Sequence, residues 1–200
     1  MIPKINIEYN RFLDPIFQSW VRNERAYKGI IPSRKYVLKR TLRYKKLWQK
    51  DGEAILKALI KVSGLRFSRN QIEVHVVSVN PRSFSSPIVM KSRYDDVDFI
   101  NTITHELIHC LFSDNFDRVN AYLPWDQNIK KRDTANDHVF LHAILKYIYL
   151  DVLKSPKHLK KNLAISKKPS NEGYIQAWNI VTSGSYMEII EEFRRRIGMK

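Results

Sequence analysis

Residues 105 to 109 read His-Glu-Leu-Ile-His. On a helix, residues four apart lie one above the other, so His105 and His109 present two imidazoles to the same point in space. Two nitrogens placed in that way can share one zinc ion. Glu106 follows His105 at about 100° round the helix and can address a water on the metal without being a ligand itself. That is what metal-assisted peptide hydrolysis requires. The zinc lowers the pKa of the water and polarises the scissile carbonyl, while the carboxylate takes the water's proton and returns it to the leaving amine. Cys110 is the only cysteine in the chain. An internal disulfide and a cysteine-rich zinc knuckle are therefore excluded, and a bound metal must rely on histidines and carboxylates.

A catalytic zinc takes three protein ligands and leaves its fourth position to water. The segment DHVFLHAIL offers the next candidates, because His138 and His142 are four apart on a stripe that also carries Leu141, Leu145, Ile148 and Val152. Both face inward on that reading. One can be the third ligand, and the other can support it or donate to the transition state. Asp133 and Asp137 are weaker ligand candidates, since an Asp at that place more commonly caps the helix. His75 alternates with Val74 and Val76, and His158 lies among lysines. Neither has a second ligand type beside it, so both are read as structural or solvated, and Cys110 as a small buried residue.

The elements that must hold these residues can be read from periodicity. Ser33 can cap a helix to about Lys50, with Val37, Thr41, Tyr44 and Trp48 inward and Lys35, Lys39, Arg43, Lys46 and Lys50 on a separate stripe. A second helix is expected from about Asp51 to Val62, with Ile55, Leu59 and Val62 inward and Gly64 as its stop. QIEVHVVSV (71 to 79) reads as a buried strand. SFSSPIVMKS (83 to 92) reads as one further strand, at the sheet edge because of Pro87. From about Asp95 a helix carries Ile100, Ile103, Leu107 and Leu111 on one stripe, and HELIH lies within it. Residues 113 to 133 are expected to be a long loop and 135 to 153 a further helix. Short helical patterns follow around YIQAWNIV and SYMEIIEEFRRRI.

Composition sets the outer limits. A chain of 200 residues with 44% hydrophobic content can bury a real core. The sequence predicts one domain over 1–200, with a catalytic core at about 51–153 between a basic N-terminal region (1–50) and a basic C-terminal region (154–200). No stretch approaches the roughly 20 apolar residues of a membrane span, and the first residues lack a signal-peptide layout, so the expected compartment is the cytoplasm. Lys and Arg number 35 against 20 Asp and Glu, a formal charge of +15. Residues 22 to 50 hold 11 of those cations and one Glu, interleaved with Tyr27, Tyr36, Tyr44 and Trp48. Nucleic acid is the partner such a face suits, with Lys35, Lys39 and Arg43 as candidate phosphate contacts, although a solvated face over an aromatic core stripe has the same composition.

HELIH, with the strand candidates before it and the histidine-bearing helix after it, resembles the zincin metallopeptidases, in particular small intracellular branches such as the SprT-like proteases and the minigluzincins. The resemblance covers about residues 53 to 150. It implies an α+β fold with a small mixed or antiparallel sheet, an edge strand over the HExxH helix and a second ligand-bearing helix. It also implies zinc on His105 and His109, Glu106 as base, and a peptide or protein substrate along residues 83 to 92. The third histidine of SprT-like proteases stands near the start of its helix, which favours His138 over His142. The longer signatures differ. The metzincin glycine and third histidine are missing from CLFSDNFDR, and the first glutamate after Glu106 is Glu172, too remote for the gluzincin pattern.

The function expected is zinc-dependent peptide hydrolysis, with DNA-associated proteins as substrates if the SprT-like likeness holds. The alternative from another class is a nucleic-acid-binding module on a zincin scaffold without peptidase activity. A regulatory or toxin-like protease acting on one partner is a third.

Overall fold

The computed structural model describes residues 1–24, 27–126, 134–166 and 172–199. They fall into two compact units, residues 1–53 with 69–110, and residues 54–68 with 111–200.

The first unit is built on a four-stranded sheet: β1 (Lys4–Tyr9), β2 (Gln71–Val77), β3 (Phe84–Ser85) and β4 (Ile88–Lys91), in the order β1-β2-β4-β3. β1 runs parallel to β2, with Ile7 opposite Val74, and β2 runs parallel to β4, with Val76 opposite Met90. Only β3 is antiparallel, pairing Phe84 with Val89. The sheet is thus mixed and largely parallel, which corrects the antiparallel half of the expectation. The segment 83 to 92 is also divided. The peptide before Pro87 is cis and lies in the turn between β3 and β4, so the edge strand is the two-residue β3, and β4 is internal. Ile72, Val74, Val76, Val77, Ile88, Val89 and Met90 are all buried, as β-branched and apolar residues must be when both faces of a sheet are covered.

α1 (Leu13–Asn23), which sequence periodicity did not reveal, is anchored by Asp14. Its buried carboxylate accepts the Ser78 amide and hydroxyl, each at 2.6 Å, at the end of β2. Phe17 packs into a cluster with Val77 and Val89.

α2 (Arg34–Ser63) is one continuous helix where two were expected. Ser33 caps it as anticipated, its hydroxyl accepting the Tyr36 amide at 3.3 Å. Val37, Thr41, Tyr44, Trp48, Ile55, Leu59 and Val62 are buried as read. Gly52 does not break the helix. It stands where a Cβ would meet the Trp48 indole at 2.4 to 2.6 Å, so the missing side chain makes room for the ring. The helix stops at Gly64, whose φ of +73° suits glycine and ends the chain's helical path as expected.

α3 (Asp96–Ser113) is the HELIH helix. In the second unit a short α4 (Phe116–Val119) and a single 3-10 turn occupy part of the expected loop. Residues 127 to 133 of that loop lie outside the described residues. α5 (Thr134–Tyr147) ends in one π turn over residues 148 to 152 and packs against α7 (Glu172–Ser183) and α8 (Tyr186–Arg196). α6 (Pro156–Ser166) takes up most of the basic stretch. Arg196 ties the unit together: its guanidinium donates to the carbonyls of Pro124 and Trp125 at 2.9 and 3.0 Å and pairs with Glu192. Among the described residues no helix is long and apolar enough to cross a membrane.

Candidate metal centre

The helix that carries HELIH starts where its sequence says it should. Asp95 accepts the amides of Val97 and Asp98 at 3.0 Å each, and Asp96 and Asp98 stand in the first turn, where the helix's positive end favours them. Phe99, Ile100, Ile103, Leu107, Ile108 and Leu111 are buried and hold the helix by one broad stripe. Phe99 stacks on Tyr44 of α2, ring centroids 4.1 Å apart. With that stripe fixed inward, His105 and His109 come to one side, half-buried, and their Nε2 atoms lie 3.0 Å apart. Glu106 is 7% exposed, and burial pushes its carboxyl up to about 7.

α5 places the other two histidines differently from each other. His138 Nδ1 donates to the Thr134 carbonyl at 2.7 Å. A carbonyl can only accept, so the proton sits on Nδ1 and the lone pair on Nε2. Burial also holds the His138 pKa below the ordinary histidine value, which favours the neutral ring a metal needs. His142 is 1% exposed and lies flat on the Trp178 indole, centroids 4.4 Å apart and planes 13° apart. Tyr174 covers His138 at 4.7 Å. Both aromatics belong to α7, which approaches α5 closely enough that a Cβ on Gly173 would meet the Thr134 Cβ at 2.7 Å.

His105, His109 and His138 each offer one ring nitrogen, and these atoms all lie within 4.8 Å of one another. The three histidines can bind a metal ion. Tetrahedral ligands at about 2.0 to 2.1 Å from zinc stand roughly 3.3 Å from each other, so the set fits with small side-chain shifts. His138 bonded through Nδ1 to a backbone carbonyl has the usual arrangement of a ligating imidazole, held in one tautomer by its other nitrogen. His142 is not in the cluster.

The remaining candidates are placed as follows. Asp137 is in the first turn of α5, and Asp133 lies outside the described residues. His75 is half-buried on β2, and His158 is buried against Tyr149, centroids 5.7 Å apart. Cys110 is buried, and its thiol donates to the Ser85 carbonyl at 3.1 Å, joining the edge strand β3 to the HELIH helix one residue after His109. On α2, Lys35, Lys39 and Arg43 are all exposed, and Arg43 also pairs with Asp96 at 2.5 Å.

Sequence reasoning missed Tyr94, Thr102, Tyr174 and Trp178. The Tyr94 hydroxyl meets the Ser83 hydroxyl at 2.7 Å and also shares a hydrogen bond with Thr102; burial raises its pKa, and the nearby Glu106 carboxylate adds to the rise. The only signal for Tyr94 was its place directly before the Asp95 cap. Trp178 stood in a segment already read as helical, but nothing local says that its ring covers a histidine.

No protein-family model matches this chain, and no curated protein or solved structure matches it.

Proposed function

We propose that the chain is a zinc-dependent metallopeptidase in which His105, His109 and His138 hold the metal and Glu106 is the general base. The observation that carries this reading is the convergence of three imidazole nitrogens within 4.8 Å, two of them on the helix that also buries Glu106. A zinc ion held there supplies a Lewis acid for the scissile carbonyl and lowers the pKa of water. Glu106 takes the proton of the attacking water and passes it to the leaving amine nitrogen. Its burial suits that work, because a base shielded from bulk water exchanges its proton with the reacting groups rather than with solvent. His142 keeps α5 in place through Trp178. A peptide added to the outer edge of β3 runs beside the helix of the base, through the link of Ser85 to Cys110.

Zinc analysis after reconstitution tests the reading. About one zinc per chain is expected in the wild type and little in His105→Ala or His109→Ala, as three ligands define the site. A wild type that takes up no zinc would overturn it.

Polyanion binding has its own support in the formal charge of +15 and in the exposed Lys35 and Lys39 on α2. Proteins bound to nucleic acid are the substrate class in which both features would act together. A nucleic-acid-binding module without hydrolysis is the competing reading, and it gives no role to a buried glutamate between two histidines.

A further inference from the structure

Tyr94 lies in the segment between β4 and α3, and four contacts fix its backbone and side chain. Its carbonyl accepts from the Tyr44 hydroxyl at 3.0 Å and from the Arg40 guanidinium, both on α2. Its hydroxyl bridges Ser83, directly before β3, at 2.7 Å, and Thr102 of α3. Thr102 stands four residues before Glu106 and so lies on the same side of the helix. The Tyr94 ring is thereby a strut between the start of the edge strand and the helix face that carries the base.

β3 has two residues and, among the described residues, pairs with β4 alone. Two ladder positions fix the register of an added strand weakly, and slippage in an extended pairing moves by two residues when side chains keep their faces. Something outside the ladder has to hold β3 still. Cys110 holds the Ser85 end through its thiol, and Tyr94 holds the Ser83 end.

We propose that Tyr94 is a positioning residue that sets the register of a bound peptide on β3 relative to Glu106, and so selects which peptide bond is cut. This rests on the peptidase reading above. The hydroxyl acts through Ser83 and Thr102 and does not touch the reacting atoms.

The test uses the zinc-loaded full chain, denatured casein as probe, and mass spectrometry of the products. Tyr94→Phe keeps the ring and removes only the bridge. Its zinc content should equal that of the wild type. Its kcat/KM should fall roughly tenfold or more, chiefly in kcat, because small misplacements of a reacting bond cost up to about a hundredfold. Cuts should also spread to bonds two residues from the wild-type sites, which a general loss of stability would not produce. Ser83→Ala should spread them in the same way. In the metal-free protein the amides of Phe84 and Ser85 should exchange faster in Tyr94→Phe than in the wild type. Wild-type cut sites and kcat/KM in Tyr94→Phe at equal zinc would overturn the inference and leave the peptidase reading intact. A wild type without Glu106-dependent cleavage would overturn both.

Discussion

His105 Nε2 and His109 Nε2 lie 3.0 Å apart, with the ring planes at 65° to each other. Two imidazole nitrogens at that separation must share a proton or a cation, since two bare lone pairs would repel. The backbone between them is ordinary helix, set by the buried stripe on its other side. Packing of that stripe therefore aims both imidazoles at one point.

The third ligand can be separated from its neighbour by substitution. His138→Ala should lose most of the bound zinc. His142→Phe should retain it, because a ring at that place still stacks on Trp178. His142→Ala should also retain zinc but lose on the order of 2 kcal/mol of stability to the cavity left beneath the indole. Zinc content and denaturant midpoints measure the two effects independently. Zinc lost from His142→Phe and kept in His138→Ala would exchange the two roles.

Glu106 gives the metal-free chain a pH dependence of definite sign. Burial raises its carboxyl from 4.5 to about 7 in the folded state. The folded chain then keeps a proton that the unfolded chain has released, so this group's contribution is fully present below pH 4.5 and is lost as pH rises to about 7. The loss is on the order of 3 kcal/mol. In chelator, wild-type stability should fall through that window, and Glu106→Gln should remove this part of the slope and be the more stable protein at pH 8. Parallel curves for the two proteins would contradict this.

Gly52 sets two rules against each other. Glycine inside a helix costs about 1 kcal/mol relative to alanine, so Gly52→Ala ought to stabilise α2 on propensity alone. The Trp48 ring lies 2.4 to 2.6 Å from the place of the new Cβ, and displacing a buried indole costs about 1 to 3 kcal/mol. The net expectation is destabilisation, read as a lowered denaturant midpoint. A raised midpoint would show that Trp48 moves aside freely.

The pairing of His105 with His109 and the buried faces of α2 and α3 were legible in the sequence because they depend on local spacing. His105 and His109 are set by helical periodicity, Val37, Tyr44, Ile103 and Leu107 by a continuous stripe, and Ser33 and Gly64 by end chemistry. What sequence reading missed is non-local or a matter of packing. β1 finds its partner in β2 more than sixty positions later, with Lys4 opposite Gln71, and no pattern within KINIEY announces that pairing. α2 runs on through Gly52, where the Trp48 ring occupies the place of a side chain. The strand expected over 83 to 92 became a hairpin because Pro87 falls in a turn. His138 and His142 share a stripe and a residue type. What separates them is Trp178, 36 residues beyond His142.

The basic stripe should bind polyanions with a steep salt dependence, since each neutralised phosphate releases counterions. Arg43 is held by Asp96 at 2.5 Å, so Lys35 and Lys39 are expected to carry most of the affinity. Charge reversal at both should weaken single-stranded DNA binding at 100 mM salt by about tenfold or more. Adding Arg43→Glu should reduce it little further. Unchanged affinity would make this a solvated helix face.

The central claim is that Glu106 is the general base beside a histidine-held zinc, and Glu106→Gln tests it most directly. Glutamine keeps the shape and removes the proton acceptor. Glu106 is absent from the ligand cluster, so the variant should keep the wild-type zinc content. Its hydrolysis of denatured casein, measured with and without single-stranded DNA, should fall by about two to four orders of magnitude, the range of general acid–base catalysis. Zinc retained with hydrolysis lost is the predicted result, and undiminished hydrolysis in Glu106→Gln would contradict the account.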